Sequence, residues 1–432
     1  MPRFLKRIVF RIFSLAFAAS WLAVASYGQS ISPVIAVDHG PNAPQQLSKP
    51  YVILVSLDGF RYDYAKKYHA NHLLALAARG ASAPDGMLPA YPSITFPNHY
   101  SIVTGLYPGH HGIVANSFYD PARKEVYSYH DAKSVADGTW YGGTPLWVLA
   151  GQQGMRSASF FWVGSEAEIQ GLRPSYYLKF DGSFPNSKRV EQVLAWLHLP
   201  PEQRPHFITL YFSDTDSAGH QYGPDSPQVA SAVHELDSEI GKLVAGIEDT
   251  KLPVDLIVLA DHGMAKVEGP PVYLDQYGLN VASLASFTGS ILYPKSDDDA
   301  EKAYEALRGK TGKFVVYRRA QTPAGLHLAN NPRAGDPVVV PTGPYFISVR
   351  AGSQKDNPPV GMHGYDATKM PEMKAIFLAA GPDIRHGVAL KPFENVNVYP
   401  LIAKILGLDI TNLKTGPIDG KLSAVQGILA TR

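Results

Sequence analysis

Several uninterrupted apolar runs, most of them closed by an acidic residue, constrain the fold of this chain more than any other feature. They lie at 51–60 (YVILVSLDGF), 206–216, 254–263, 343–350 and 373–383. Such a run is typical of a parallel strand that is buried on both faces. Segments with helical spacing lie between them, at 64–79, 144–154, 187–198, 227–247 and 397–407. This alternation predicts an α/β fold with a mostly parallel central sheet and helices on both faces.

Length and composition fit one large domain with a substantial core. The chain has 432 residues, of which 45% are hydrophobic. Residues 265–360 are richer in glycine and proline and less regular, so they predict an insertion or cap within that domain. The net charge is only +1, and no long run of like charge indicates a nucleic-acid polymer as a partner.

The first 28 residues have the layout of a secretory signal peptide. Four cations precede an apolar run that ends in small residues, and cleavage is expected after Ala25 or Gly28. An uncleaved membrane anchor is the alternative, although the run from Ile12 to Ala25 is short for a membrane span of about 20 residues. The sequence therefore predicts a periplasmic or secreted protein without stable membrane association, and residues 29–49 form an N-terminal extension.

The chain contains no cysteine, so disulfides and thiolate ligands are excluded. Any metal must be bound by histidine, carboxylate or hydroxyl groups. Candidate ligands stand where strands end, because ligands of open parallel sheets bind outside the carboxyl ends of the strands. These candidates are Asp58, Asp216, His220, Asp261, His262 and His363.

Each of these residues alone could have an ordinary structural role. An aspartate after a strand is commonly a turn former or N-cap, and a histidine is commonly a surface residue. Together they form the mixture of imidazole and carboxylate that divalent cations prefer, and six ligands suit two metals about 4 Å apart. The other histidines, His99 among them, are expected to serve packing or surface roles.

A set of motifs resembles the nucleotide pyrophosphatases/phosphodiesterases of the alkaline phosphatase superfamily. The motifs run in family order from about residue 50 to 410 and include VSLDGFRYDY, PSITFPNHYSIVTGLYPGHHGIVANSFYDP, DGSFPNSKRV, LYFSDTDSAGHQYGP, LADHGM and HGYD. The resemblance implies an alkaline-phosphatase-like α/β fold, with a catalytic domain at 50–425. It resembles the bacterial single-domain type, without the cysteine-rich and nuclease-like modules of secreted animal members.

The resemblance also implies roles for individual residues. One Zn²⁺ would be held by Asp216, His220 and His363, and a second by Asp58, Thr95, Asp261 and His262. Thr95 would be the nucleophile, and Asn116 would donate a hydrogen bond to a phosphoryl oxygen. Phe96, Phe180 and Tyr211 would line a base pocket. Their alternative role is core packing, and that of Asn116 is a turn. Ala367 departs from the asparagine usual at its position.

The chemistry expected from these roles is in-line attack by Thr95 on a phosphodiester. A covalent nucleotidyl-threonine forms, and water then releases the nucleoside 5′-monophosphate. Thr95 is expected just before a helix over 97–104, where exposed amides favour a phosphate oxygen. The expected partner is a small nucleotide or phosphodiester, and no protein partner is implied.

Other functions remain open from sequence. The closest alternative is a phosphodiesterase of the same fold that acts on a choline or glycerol phospholipid, since aromatic rings also bind quaternary ammonium groups. A phosphomonoesterase is less favoured, because the segment from Leu88 to Gly112 contains no Arg or Lys. A non-catalytic nucleotide-binding protein would have no reason to keep all six ligands together with Thr95.

Overall fold

A nine-stranded sheet lies at the centre of the computed structural model, which describes residues 33–351 and 358–431. In spatial order its strands are β1 (Ile35–Ala36), β7 (Tyr176–Tyr177), β6 (Ser157–Phe160), β8 (Phe207–Phe212), β2 (Tyr51–Leu57), β9 (Val254–Leu259), β18 (Phe377–Ala380), β3 (Ala81–Ser82) and β19 (Val388–Ala389). Most neighbouring strands run parallel. The antiparallel pairs are β1 with β7, and β18 with both β9 and β3.

The remaining strands form two-stranded ribbons outside the central sheet. They are β4 (Ser117–Asp120) with β5 (Glu125–Ser128), β10 (Ala265–Lys266) with β17 (Gly361–Met362), β11 (Val272–Tyr273) with β16 (Ile347–Ser348), β12 (Leu284–Thr288) with β13 (Ile291–Pro294), and β14 (Phe314–Tyr317) with β15 (Val338–Pro341).

The α-helices of the described chain cover both faces of the sheet. They are α1 (Tyr64–Lys67), α2 (Asn71–Arg79), α3 (Thr95–Thr104), α4 (Pro108–His111), α5 (Ala132–Ala136), α6 (Leu146–Gln152), α7 (Asn186–Leu197), α8 (Asp214–Tyr222), α9 (Pro227–Thr250), α10 (Asp297–Leu307) and α11 (Val398–Leu406). Every residue of β2 is buried. Because successive side chains of a strand point to opposite faces, this burial requires cover on both sides. The predicted fold class is confirmed.

Two of the five apolar runs depart from the prediction. Phe377–Ala380 belongs to the central sheet but runs antiparallel to Val254–Leu259. The run at 343–350 contributes only Ile347–Ser348, which pairs with Val272–Tyr273 outside that sheet, so its prediction as a central strand was wrong. It packs instead in a second apolar cluster, which explains why its sequence is also apolar.

This second cluster belongs to the stretch predicted as an insertion. Its buried side chains include Leu292, Leu307, Phe314, Val339 and Val349. The stretch leaves the main body at β10 and returns at β17, and these two strands pair directly, with Ala265 opposite Met362. The excursion therefore has a narrow base and a core of its own.

The predicted signal peptide lies outside the described residues. Among the residues that are described, no helix has the length and apolar character needed to cross a membrane.

Candidate active site

Three parallel strands end together and bring three carboxylates to one place. Strand β2 has Leu57 opposite Phe212 of β8 and Ser56 opposite Leu259 of β9. Asp58 follows β2 directly, Asp216 lies in the first turn of the helix after β8, and Asp261 comes two residues after β9. Asp58 and Asp261 are buried and Asp216 is half-buried. The strand-end positions predicted from sequence thus converge.

Gly59 permits the close approach of the helix that carries Asp216. Its φ is +66°, and a Cβ at this position would lie 2.9 Å from the Cα of Asp216. Real Cβ atoms do not come so close to a backbone atom, and non-glycine residues rarely adopt this φ. Glycine is therefore required here both by the turn and by the packing of the site.

His220 and His363 complete one side of the cluster. The Nε2 of His220 lies 3.4 Å from Oδ1 of Asp216, and the Nε2 of His363 lies 3.6 Å from the same oxygen. The two Nε2 atoms are 3.1 Å apart. His220 lies four residues after Asp216 on helix α8, so the predicted helical turn does place both side chains on one face.

Thr95, Asp58 and Asp261 surround His262 on the other side. The Nε2 of His262 lies 3.0 Å from Oδ2 of Asp261 and 3.5 Å from Oδ1 of Asp58. The hydroxyl oxygen of Thr95 is 3.2 Å from this nitrogen. The ring of His262 also stacks on that of His363, with centroids 3.6 Å apart, so the two sides of the cluster adjoin.

Backbone carbonyls fix the orientation of all three histidines. The Nδ1 atoms of His220, His262 and His363 lie 2.8, 2.9 and 2.9 Å from the carbonyl oxygens of Gly361, Gly263 and Ser93. Each Nδ1 must then carry the proton and donate it. This arrangement leaves every Nε2 with a free lone pair directed into the cluster, as in metal-binding histidines whose other nitrogen is held by the protein.

The donor set fits divalent cations. Oδ1 of Asp58, Oδ1 of Asp216 and Oδ2 of Asp261 are buried and accept no hydrogen bond from any described residue. Two bare Nε2 atoms that face each other at 3.1 Å are likewise stable only around a positive charge. Oxygen and imidazole nitrogen donors are those that zinc takes.

The electrostatics of Asp58, Asp216 and His363 agree with this interpretation, whereas at His262 the effect of burial is outweighed by the charges of Asp261 and Asp216, which raise its pKa. Burial raises the pKa of Asp58 well above its usual value, and the charges of Asp261 and Asp216 raise it further. Burial also raises the pKa of Asp216. Burial lowers the pKa of His363 well below its usual value, so this imidazole is neutral as a ligand must be. Bringing these carboxylates together in ionised form requires a compensating cation.

The possible metal ligands form two tight groups, and the members of these groups differ from those of the two predicted zinc sites. One consists of Asp216, His262 and His363, and the other of Asp58, His99 and Asp261. His262 was predicted to accompany Asp58 and Asp261, and it lies within reach of both sides. The division of the ligands between two metals therefore stays a prediction.

His99 is a site residue that the sequence analysis missed. Its Nδ1 lies 2.9 Å from the carbonyl oxygen of Thr95 and 3.3 Å from Oδ2 of Asp261, while its Nε2 lies 2.8 Å from the hydroxyl of Ser56. Its side chain is fully buried. His99 thus braces the residues around Thr95 and Asp261. The available signal was its spacing of four residues from Thr95 on one helix.

Helix α3 begins at Thr95, two residues earlier than the predicted helix over 97–104. The expectation of exposed amides at this helix start fails at the two positions after Thr95. The amide of Phe96 donates to Oδ1 of Asn116 at 2.9 Å, and Pro97 has no N–H. Because Oδ1 of Asn116 accepts this bond, its Nδ2 is the end of the side chain that can donate to a substrate oxygen.

The three aromatic residues predicted for a base pocket occupy different environments. The ring of Phe180 is 57% exposed and lies 6.2 Å from that of Tyr211. Phe96 is half-buried and contacts Tyr129 edge-on, with centroids 5.6 Å apart. The hydroxyl of Tyr211 donates to Oδ2 of Asp58 at 2.6 Å. Tyr211 therefore orients a candidate metal ligand, a role that the sequence analysis did not foresee.

Sequence comparison places these residues in a known family. The profile of the type I phosphodiesterase/nucleotide pyrophosphatase family matches residues 52–366. The chain belongs to this family, whose members are phosphodiester hydrolases.

Two curated relatives show how far the similarity extends. Human ectonucleotide pyrophosphatase/phosphodiesterase family member 1 is 34% identical over 403 residues, which are 90% of this chain and 43% of the human protein. A pyrophosphatase/phosphodiesterase of Schizosaccharomyces pombe is 36% identical over 83% of this chain and 77% of its own length. The chain therefore spans less than half the length of the human relative.

The fold of this chain also resembles that of a solved structure. Murine ectonucleotide pyrophosphatase/phosphodiesterase 5, an inactive threonine-to-alanine variant in complex with AMP, has 30% sequence identity and a TM-score of 0.81. The match covers 88% of this chain and 100% of the murine chain.

Proposed function

We propose that this protein hydrolyses nucleotide phosphodiester and pyrophosphate bonds and releases nucleoside 5′-monophosphates through a covalent intermediate on Thr95. The observation that carries the proposal is the position of the Thr95 hydroxyl, 3.2 Å from Nε2 of His262, beside carboxylate oxygens without hydrogen-bond donors. Relatives named for this activity, one of them inactive as a threonine-to-alanine variant that binds AMP, support it.

Seven residues would hold two zinc ions. Asp216, His220 and His363 would bind one, and Asp58, Thr95, Asp261 and His262 would bind the other. Zinc bound here would supply positive charge that lowers the pKa of the Thr95 hydroxyl and offsets the charge of the phosphoryl group. Tyr211 keeps Oδ2 of Asp58 occupied and so directs Oδ1 of this carboxylate into the cluster.

Thr95 supplies the attacking oxygen. A bond forms between its Oγ1 and phosphorus while the bond to the leaving oxygen breaks on the opposite side, next to His220 and His363, and the hydroxyl proton passes to the leaving oxygen or to solvent. The Nδ2 of Asn116 donates to a phosphoryl oxygen and orients the group for this attack. A water molecule then attacks phosphorus from the vacated side, and the nucleoside 5′-monophosphate leaves with the Thr95 hydroxyl restored.

Phe180 provides the face on which the base stacks, because its ring is exposed beside the cluster. Phe96 would contact the base from the helix that carries Thr95. Stacking of a base on an aromatic ring typically contributes about 1–3 kcal/mol, which is enough to favour nucleotide esters over esters of simple alcohols.

Replacement of the nucleophile tests the mechanism. Thr95→Ala should reduce hydrolysis of thymidine 5′-monophosphate p-nitrophenyl ester to the background rate and leave the zinc content near that of the parent. Thr95→Ser keeps a hydroxyl in the same position and should retain part of the activity. Hydrolysis by Thr95→Ala at the parent rate would contradict the mechanism.

A comparison of two substrates distinguishes the proposed nucleotide activity from the phospholipid alternative. Release of nucleoside monophosphate from ATP or the nitrophenyl ester is compared with release of phosphocholine from lysophosphatidylcholine. A clear preference for the choline lipid would contradict the assignment to nucleotides.

The proposal includes an exported protein. Residues 1–28 would be removed as a signal peptide on passage to the periplasm or the outside, and residues 50–425 would form the catalytic domain with the stretch 265–360 as its cap. Cell fractionation followed by N-terminal sequencing of the mature chain tests this, and recovery of the full-length chain in the cytosol would contradict it.

A further inference from the structure

A cavity of about 420 Å³ opens beside His220 and His363. This volume lies within the range of small-molecule sites, roughly 300–1,000 Å³. Asn116 and Ile94 line it near Thr95. Thr95 itself, Phe96, Phe180 and Tyr211 are not part of the lining. The lining therefore shares no residue with the proposed base site and includes two histidines of the ligand cluster.

The insertion provides much of the cavity wall, and its contribution is mostly apolar. The turn between β12 and β13 brings Ser290 and Ile291, and strand β15 brings Val338 and Val339. Among the described residues that line the cavity, none is Lys, Arg, Asp or Glu, and the ionisable ones are histidines and tyrosines. An anionic group would find no Lys or Arg among these described lining residues to pair with.

Arg333, a cation close to this wall, is already engaged elsewhere. Arg333 precedes the lining residue Ala334, but its Nε donates to Oδ2 of Asp120 at 2.8 Å and its Nη1 to two backbone carbonyls. The Nζ of Lys313 lies 5.5 Å from the ring centroid of Tyr345 and is not itself part of the lining.

The position of the cavity identifies the part of the substrate that it would hold. In-line attack requires the leaving oxygen to stand opposite the Thr95 oxygen. In the proposed mechanism that oxygen departs next to His220 and His363, which line the cavity. The leaving group, and not the nucleoside, would therefore enter it.

We infer that the leaving group of the preferred substrate is an uncharged alcohol with an apolar body, and that such esters are hydrolysed in preference to ATP, whose leaving group is pyrophosphate. This inference rests on the proposed function and names its substrate class. Placing a pyrophosphate against Val338, Val339 and Ile291 would remove its charges from water without compensation. An alkyl chain in the same place gains about the transfer free energy of each buried methylene.

A series of alkyl esters of thymidine 5′-monophosphate tests this with the parent enzyme. The propyl, pentyl and heptyl esters have leaving alcohols of nearly equal pKa, so their intrinsic reactivity is matched. The value of kcat/KM should rise about fourfold per added methylene until the cavity is full, which corresponds to about 0.8 kcal/mol for each buried methylene. A flat series would overturn the inference.

A variant of the wall provides the second test. Ser290→Lys adds a cation to the lining, and Ala285→Lys adds the same charge to the same hairpin at an exposed position outside the lining. Ser290→Lys should raise the ratio of kcat/KM for ATP to that for the heptyl ester at least tenfold, and Ala285→Lys should leave it near the parent value. An equal change in both variants would contradict the assignment of the cavity.

The outcomes separate the two proposals. Release of thymidine monophosphate from all three esters without dependence on chain length contradicts only the inference. If thymidine monophosphate is released neither from the nitrophenyl ester nor from any of the alkyl esters, the result contradicts the proposed function itself.

Discussion

The two sides of the proposed active site are built in different ways. Asp58, Asp216 and Asp261 stand at the ends of three buried parallel strands and are fixed by the central sheet. About half of the residues that line the cavity beside His220 come from the insertion, which has its own apolar cluster. The first arrangement suits chemistry that must stay constant, and the second suits a substrate preference that can change without disturbing the sheet.

If this contrast is correct, removal of metal should have the largest effect. Exhaustive dialysis against a chelator should lower activity on every substrate by at least about 10³-fold, because one transition-state interaction is already worth about 10²–10³. The melting temperature should also fall, since ligands that bind only the folded state stabilise it. Added zinc should restore both quantities, and activity that survives complete metal removal would contradict the proposal.

Loss of a hydroxyl at the sheet edge should have the next largest effect. Tyr211→Phe removes the bond of 2.6 Å to Asp58, and loss of a partner to a metal ligand typically costs about 10–100-fold in metal affinity or activity. Tyr365→Phe is the matched control, because its hydroxyl contacts the carbonyl oxygen of Tyr345 on the cavity side. Equal losses in zinc affinity for both variants would break the contrast between the two sides.

The base site should show a smaller and more selective effect. Phe180→Ala should lower kcat/KM for the nitrophenyl ester of thymidine monophosphate about tenfold, within the range expected for one stacked base. Hydrolysis of bis(p-nitrophenyl) phosphate, which has no base, should change little. A similar loss on both substrates would assign Phe180 a structural role.

The smallest catalytic effect is expected from replacement of Arg333, which connects the insertion to the main body. Arg333→Gln removes the ion pair with Asp120, whose side chain is only 6% exposed. We expect a loss of about 2 kcal/mol in the free energy of unfolding, less than for a fully buried pair because Arg333 is partly exposed. The preference for long alkyl esters should weaken a few-fold while kcat for the propyl ester stays near the parent value.

Arg318→Gln serves as the control for this prediction. Arg318 pairs with Asp297, Glu301 and Asp336, all of which belong to the insertion. The variant Arg318→Gln should therefore leave the preference for long alkyl esters closer to that of the parent than Arg333→Gln does. Thermal unfolding monitored by circular dichroism and the ester series measure the two effects separately.

The sequence predicts the sheet side well because the relevant rule is topological. A buried run such as 51–57 identifies a strand, and the residue after it must stand at the edge where parallel strands end. Asp58 and Asp261 follow from this rule without knowledge of side-chain packing. His220 follows from the period of a helix that begins near Asp216.

The same rules fail where the strand that pairs with an apolar run, or the direction of that pairing, has to be predicted. The run at 343–350 buries its side chains in the insertion, and Phe377–Ala380 pairs antiparallel with Val254–Leu259. Strand direction depends on the path of the intervening chain, which local periodicity does not record. The roles of His99 and Tyr211 were missed for a related reason: their hydrogen-bond partners lie on other elements.

The direct pairing of Ala265 with Met362 has a consequence for how this protein could be altered. The chain departs and returns at adjacent points, although the excursion also contacts the main body elsewhere, as in the pair of Arg333 with Asp120. Segments whose ends lie close together are those that tolerate replacement. The stretch between these two strands is thus a natural unit for exchange between relatives, and a graft here would change the insertion's part of the cavity wall while leaving Thr95 and the candidate metal ligands in place.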